Sequence, residues 1–471
     1  MSRAATISRP PPAARHVLVV GGGLAGLAAA AAIVEAGARV TLVEARRRAG
    51  GRAASFEDPV AGGLVDACQH VAMGCCTNFL DLCRRCGIDE ALRLDRTMWF
   101  IGPDGDRAAC TPSRLLPAPL HLAPLLLGMR HFSLAERAAL AVGMLRLARH
   151  RGSAEDPRTA LEWLRAAGQP ERVVRLFWQP VIESALGESI DLVAVAAARK
   201  VAVDAFLAHR RAADLVVPTE PLGELFGGRL VAWLESRGAT VVAGSAATSV
   251  GPPSEGRAIE VRTPAGTLTG DAAIVAVPWR QAARLLPGVV PQADERLAGS
   301  PITAVHLWFD REVIDLPHAV LVGRVSQWVF RGHDAAGQGR GYCQVVISAS
   351  RGVCDGDRSR LLDTVVAELR DVFPAARGAR LVESRIVTDP TAVLSVRPGV
   401  DAFRPPARTA VPGLYLAGDW TATGWPSTME GAVRSGRLAA DAVVADLGGH
   451  ARSLVADLPR SLAVRLLAGG G

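Results

Sequence analysis

A short apolar run from His16 to Val20 ends on Gly21-Gly22-Gly23-Leu24-Ala25-Gly26. An alanine-rich stretch follows to about Ala36, and Gly37 comes next. A strand-length apolar run, a glycine turn, a helix-length stretch and a stopping glycine predict strand, turn and helix in that order. Arg39 to Val43 is a second short apolar run with Glu44 at its tip, which closes a βαβ unit.

Beyond it, the pattern from about Trp99 to Val217 predicts a mainly helical middle, with amphipathic stretches at Leu134 to Arg149 and Val173 to Leu186. Pro221 to Arg237 reads as a helix led in by proline. Thr240 to Val242, Ile259 to Arg262 and Ala272 to Val277 predict strands that return to the first unit. Thr303 to Phe309, Gln327 to Phe330 and Tyr342 to Ser348 alternate apolar and polar positions, as half-buried antiparallel strands do. A helix at Arg358 to Val372 and a strand at Arg380 to Val387 complete this second layer. Leu414 to Ala417 is a last short strand, and a helix follows from about Thr428 to Leu447.

The glycine fingerprint changes the picture from fold to chemistry. Gly21 permits the tight turn, Gly23 lets the backbone approach a pyrophosphate, and Gly26 seats the helix close to the strand. The first helical residues, Leu24 and Ala25, would turn free N–H groups and the positive dipole end toward the phosphates. Glu44, followed by Ala45, is placed to accept hydrogen bonds from ribose hydroxyls.

Three further features select FAD over NAD. Ala49-Gly50-Gly51-Arg52 adds a second close backbone approach and a guanidinium for phosphate. Gly418-Asp419 closes an apolar strand, where a carboxylate can bind a polyol such as ribitol. Met429-Glu430-Gly431-Ala432 opens the final helix, whose first amides would face negative charge developing on the flavin.

The expected fold is therefore α/β (α+β overall): a Rossmann-like two-dinucleotide-binding-domain fold with an inserted mixed-sheet and helical substrate domain. Residues 14–98, 218–300 and 401–450 would form the FAD domain in three parts. Residues 99–217 would be a helical, substrate- or membrane-facing insertion, 301–400 an antiparallel substrate sheet, and 451–471 a tail.

Composition narrows the partners. Net charge is +7, yet the arginines are scattered, with no basic run interleaved with aromatics, so nucleic acid is not expected. Lys200 is the chain's single lysine. The hydrophobic fraction of 49% and mean hydropathy of +0.21 suit a large core, an apolar substrate or contact with a membrane surface. No segment reaches the roughly 18 uninterrupted apolar residues of a transmembrane helix. Leu115 to Met129 comes nearest but is broken by Pro117, Pro119, His121 and Pro124, and reads as an irregular apolar surface or tunnel wall. Leu454 to Leu466 is either an interfacial segment or a docked tail.

Met1 to Ala14 lacks the apolar core of a signal peptide, so a reducing cytoplasm without disulfides is expected. Of eight cysteines, Cys68, Cys75, Cys76, Cys83 and Cys86 are bunched, but no partner set follows at zinc spacing, and small buried residues beside a helix are the expectation.

These motifs resemble those of the flavin amine oxidase and phytoene desaturase superfamily over nearly the whole chain. Within it, Asp66-Ala67-Cys68-Gln69-His70-Val71-Ala72-Met73-Gly74, with Thr77 and Asp81, is similar to the segment after the glycine pair in hydroxysqualene dehydroxylases. Leu416 to Ala432 resembles that family's C-terminal FAD motif, and Pro218 with Pro221-Leu222-Gly223-Glu224-Leu225 also matches. Cys68 departs from the glycine common at its place.

The resemblance implies conversion of hydroxysqualene to squalene: hydride passes from reduced flavin to an allylic carbon as the hydroxyl leaves, in squalene and hopanoid biosynthesis. It also implies peripheral attachment to the inner face of the cytoplasmic membrane. By the same analogy the loop with Gln69 and His70 passes close to the flavin. His70, with an ordinary pKa of about 6.5, is a candidate proton donor, against a purely hydrogen-bonding role. Asp66 reads as a loop fixer or cap, Trp425 as a flavin wall or core residue, and Trp178 as packing. An oxidative carotenoid or polyprenoid desaturase is the alternative. A flavin amine oxidase, short of material for an aromatic cage with two tyrosines, or a silent FAD-containing lipid scaffold, stands behind it. Neither the electron donor nor the oligomeric state is legible.

Overall fold

The computed structural model describes residues 15–59, 62–252, 258–290, 296–332, 341–353, 357–450 and 452–468. The expectation for Met1 to Ala14, and Cys354, lie outside the described residues.

His16–Val20 pairs in parallel with Arg39–Val43 on one side and Ala272–Val275 on the other. Thr240–Val242 and Leu414–Leu416 extend this sheet to five parallel strands. By chain position their order is 3-2-1-4-5. Strand order reverses beside His16–Val20, and the crevice at such a switch point, off the carboxyl ends of the strands, is where α/β sheets take ligands. The strands are nearly continuous Val, Leu and Ala because both faces are covered.

The helix α1, Leu24–Glu35, is buried from Leu24 through Ile33, which explains why its apolar residues run all the way round rather than along a stripe. The helix Met429–Asp446 lies directly on it. At the crossing, a β-carbon on Gly436 would sit 2.1 Å from the Ala25 carbonyl oxygen, so the two backbones touch where a side chain has no room. Helices from the first and the last hundred residues of the chain thus meet at α1.

The second layer is a seven-stranded sheet. Its order is Leu381–Leu394, Gly299–Phe309, Tyr342–Ile347, Trp328–Arg331, His318–Leu321, Met98–Ile101, Arg107–Cys110. This corrects the expectation that the middle is helical from Trp99 onward. The hairpin Met98–Ile101/Arg107–Cys110 joins the sheet through parallel pairing with His318–Leu321, a partner too distant in sequence for local periodicity to report. The boundary at 98/99 therefore falls inside a strand. The predicted helix Leu134–Arg149 is present, opened by a capping box from Ser133 and Glu136. Val174–Trp178, Val201–Leu207 and Gly223–Arg229 widen into π-helix.

Residues 452–468 dock on this body: the Val455 amide donates to Asn78 Oδ1 at 2.9 Å, and Val464 is buried against Ala118, Ala148, Val203 and Leu207. Among the described residues no helix is long and apolar enough to cross a membrane. Nor does any group of His, Cys, Asp or Glu there suit a metal ion. Of the bunched cysteines, Cys75, Cys83 and Cys86 are buried, whereas Cys68 and Cys76 are only partly so.

Candidate active site

The turn after His16–Val20 has the shape its glycines require. Gly21 stands at φ +107°, and a β-carbon there would lie 2.5 Å from the Ala276 carbonyl oxygen; one on Gly26 would lie 1.9 Å from that of Gly21. Gly23 caps α1 without a side chain, and no acidic residue occupies the first turn. The amides of Leu24 and Ala25 are therefore left for an external anion. Beside Gly23 there is room: its β-carbon would meet only the Gly51 α-carbon, at 3.9 Å. Gly50 comes alongside by donating its N–H to the Gly22 carbonyl at 2.8 Å. Glu44 ends the second strand, accepting from the Gly22 amide at 2.6 Å and the Arg46 amide at 2.7 Å. A carboxylate has about four lone-pair sites, so the pair of ribose hydroxyls still finds acceptors there; Ala45 follows, exposed. The cradle fits a dinucleotide diphosphate.

Arg52 corrects an expectation. Instead of facing the phosphate cradle, its guanidinium donates to Asp419 Oδ1 at 2.5 Å and to the Ala392 carbonyl at 2.6 Å. A half-buried cation beside a buried carboxylate is satisfied by that carboxylate first. Asp419 Oδ2 accepts from Ser427 Oγ, so both its oxygens are engaged. Gly418, at φ +144°, donates its amide to Ser435 Oγ at 2.8 Å.

The helix Met429–Asp446 opens where expected, but two of its first four amides are already bonded. Thr428 Oγ1 accepts from the Gly431 amide at 3.1 Å and the Thr428 carbonyl from the Ala432 amide at 2.9 Å, leaving Met429 and Glu430 as the open amides. The Glu430 side chain is turned to another task. It is fully buried and accepts from the Asn78 and Phe79 amides at 3.1 and 2.8 Å, capping the helix Thr77–Arg85, while Arg434 Nε donates to it at 2.7 Å. Sequence reasoning missed this cap because donor and acceptor lie in opposite halves of the chain.

The loop after the glycine pair is fixed by Asp66. Its Oδ1 accepts from Ser55 Oγ at 2.6 Å and from the Leu222 amide at 2.8 Å, the fixing role expected for it. Burial raises the Asp66 carboxyl to about 6, against the opposing pull of those two hydrogen bonds. Gln69 is held by its amide to Gln344 Oε1, and Gln344 in turn donates to Tyr342 Oη at 3.0 Å within a buried network that includes His306. Burial lowers the His306 imidazole to about 4, so it is neutral near pH 7.

His70 is paired through Nδ1 with the Cys68 carbonyl at 2.8 Å and is not among the cavity-lining residues. Burial, with Arg52's charge adding to it, lowers the His70 pKa. A neutral, backbone-bonded imidazole has no proton to spare near neutral pH, so the structure supports the hydrogen-bonding role over the acid.

A cavity of about 230 Å³ opens between these segments, many times the volume a single water needs. Gln69, Thr428, Met429 and Glu430 border it on the cofactor side. Met73, Met98, Phe100, Phe206, Val320, Trp328 and Phe330 make most of its wall apolar. Trp425, 8% exposed, also lines it, whereas Trp178 lies in the core with Nε1 donating to Gln169 Oε1 at 2.8 Å.

Two charged residues of the wall escaped sequence analysis as site residues. Lys200 Nζ donates to Asp204 Oδ2 at 2.9 Å and stands 4.4 Å from the Trp425 ring centroid. Their spacing of four on a helix was the signal that could have found the pair.

Residues 24–444 match the model of the family described as flavin containing amine oxidoreductase. The 15-cis-phytoene desaturase of Solanum lycopersicum is 26% identical over 439 residues, covering 88% of this chain and 74% of that protein. A hydroxysqualene dehydroxylase of Sinorhizobium fredii is 37% identical over 182 residues, covering 37% of this chain and 39% of the other. In fold, the chain is similar to cyclohexylamine oxidase from Brevibacterium oxydans, with a TM-score of 0.65 at 18% identity, covering 92% of this chain and 100% of that one. With its glycine cradle in the first strand–helix turn and the helix Met429–Asp446 lying on that first helix, the chain belongs to the flavin containing amine oxidoreductase family and is an FAD-dependent oxidoreductase.

Proposed function

We propose that this oxidoreductase reduces hydroxysqualene to squalene: the C–O bond breaks, a C–H bond forms with the two electrons of the reduced cofactor, and the hydroxyl takes up a proton and leaves as water. Gly21, Gly23, Gly26, Leu24 and Ala25 would hold the diphosphate and Glu44 with Ala45 the adenosine ribose. Gly50, Gly51, Gly418 and Asp419, with Arg52 holding Asp419, would frame the middle of the cofactor, and the Met429 and Glu430 amides the ring end. FAD supplies two-electron hydride chemistry at that end. The chain's own contribution is to keep water out and to aim a long apolar molecule at the ring. The observation that carries this reading is the cavity: an apolar wall of Met, Phe, Val and Trp that meets the cofactor side at Gln69, Thr428 and Met429. Water exclusion there protects reducing equivalents from side reactions. The shorter but stronger identity to a hydroxysqualene dehydroxylase supports the choice of substrate.

Oxidative desaturation of a polyprenoid is the second reading, favoured by the relatives that align along most of the chain. Among the described residues neither tyrosine lines the cavity, which gives an amine cage little support. A silent scaffold would leave its flavin unchanged by any lipid. We place the protein in the cytoplasm, at the inner face of the membrane. In support, Leu115, Leu120, Leu127, Leu462 and Leu466 expose 59–92% of their surface around the tail-docking cluster.

The test is product analysis of purified holoprotein, with hydroxysqualene under a flavin reductant and with phytoene under an oxidant. Squalene from the first incubation supports the proposal. Desaturated product from the second, with none from the first, replaces it by the alternative.

A further inference from the structure

Most of the cavity wall is apolar, and away from the cofactor side its charged groups are Lys200 and Asp204. Lys200 closes the helix Val195–Lys200, and the chain then widens into the π-helical turn Val201–Leu207, which carries Asp204. Such widened turns are frequent at functional sites because they reposition side chains on a helix face. Both residues line the cavity, Lys200 with 26% and Asp204 with 19% of the side chain exposed.

An ammonium group has three N–H donors. One is taken by Asp204 Oδ2 at 2.9 Å, and the charge rests 4.4 Å from the Trp425 centroid. That leaves donor capacity on the cavity side. Asp204 is itself steadied by Arg460 Nη2 at 3.1 Å. Burial works against the Asp204 charge, but Lys200 and Arg460 outweigh it and keep the carboxyl below its usual range, so it stays an anchor for the ammonium.

The choice of residue adds weight. Of 53 lysines and arginines, this is the single lysine, in a chain where arginine serves every other cationic position. Lysine offers what arginine does not: a compact donor that fits beside a ring and is able to give up a proton. A cavity meant only for hydrocarbon gains nothing from an ammonium in its wall, because desolvating that charge is a cost without return.

We propose that Lys200 is the hydrogen-bond donor to a single oxygen on an otherwise apolar chain, so that the cavity selects an isoprenoid alcohol over the matching hydrocarbon. This rests on the proposed reading of the cavity as the lipid site and gives that site its polar specificity. Asp204 and Trp425 are positioning residues, which hold the ammonium in place.

The experiment is equilibrium binding of hydroxysqualene and of squalene to the holoprotein in one detergent, read by tryptophan quenching, for wild type, Lys200→Met and Lys200→Arg. Flavin content and thermal midpoint report whether each variant is folded. Wild type is expected to prefer the alcohol by roughly tenfold or more, the range for a hydrogen bond to a charged group. Lys200→Met should bind both ligands alike while keeping its affinity for squalene, and Lys200→Arg should recover part of the preference. A preference retained in folded Lys200→Met, or absent from wild type, overturns the assignment of Lys200. If wild type binds neither lipid, the proposed function falls as well. Should Lys200→Met not fold, Lys200→Arg together with Asp204→Asn decides: both matching the wild-type preference would overturn the assignment.

Discussion

Arg52 and Asp419 stand 367 positions apart in the chain, yet the guanidinium donates to the carboxylate at 2.5 Å. The contact joins the glycine-pair segment to the last strand turn, the two parts that must close together if one cofactor is to span them. Asp419 is 4% exposed, so removing its charge leaves Arg52 without its main partner in a partly dry place. Asp419→Asn is expected to cost about 2–3 kcal/mol of stability, at or just below the lower end for a broken buried pair because Arg52 is a third exposed. It should also lower the flavin bound per chain, measured by absorbance after gel filtration. Full flavin content with an unchanged thermal midpoint would show the pair to be incidental.

Glu44 tests the other end. Its carboxylate receives the Gly22 and Arg46 amides, fixing the turn before any ribose arrives. Glu44→Arg removes those acceptors and puts a cation in their place, so the purified variant should be nearly colourless. A variant as yellow as wild type would contradict the cradle.

Gly436 carries the crossing of α1 and the helix Met429–Asp446. A methyl group there would meet the Ala25 carbonyl oxygen at 2.1 Å, with backbone on both sides and no side chain able to yield. Gly436→Ala should therefore cost about 2 kcal/mol or more, the scale of overpacking in a tight core, read from denaturant or thermal midpoints.

Asp66 predicts a pH dependence. Its carboxyl lies near 6 in the folded chain against 3.8 for the free group, because burial disfavours the anion. A raised folded pKa means that the folded state holds the proton longer than the unfolded state. The contribution is full below about pH 4 and is lost as pH rises through about 6, by on the order of 3 kcal/mol. Asp66→Asn keeps an oxygen to accept from Ser55 and Leu222 but cannot ionise. Its thermal midpoint should fall less than that of wild type between pH 4 and 6.

His70→Gln separates a structural from an acid role. With the imidazole neutral and bonded to the Cys68 carbonyl, turnover should drop by less than about tenfold and keep the wild-type pH profile. A loss of 10²–10⁴, the usual contribution of general acid catalysis, would restore His70 as the proton donor.

Much of this architecture was readable from local pattern. His16–Val20, Arg39–Val43, Leu134–Arg149 and Arg358–Val372 occur at the predicted limits because each carries its own periodicity and punctuation. The strand pair Met98–Ile101 and Arg107–Cys110 was hidden because its stabilising neighbour, His318–Leu321, is remote. The site divides the same way. The glycine cradle and Glu44 sit in one contiguous motif, whereas Arg52 with Asp419, Glu430 with Asn78, and Lys200 with Trp425 are pairs that only the fold brings together.

The account stands most directly on a single-turnover experiment. Holoprotein reduced in the absence of oxygen is mixed with hydroxysqualene, and flavin absorbance and lipid products are followed together. Squalene appearing in step with the return of oxidised flavin is the predicted result. Flavin that stays reduced while hydroxysqualene remains intact would contradict it.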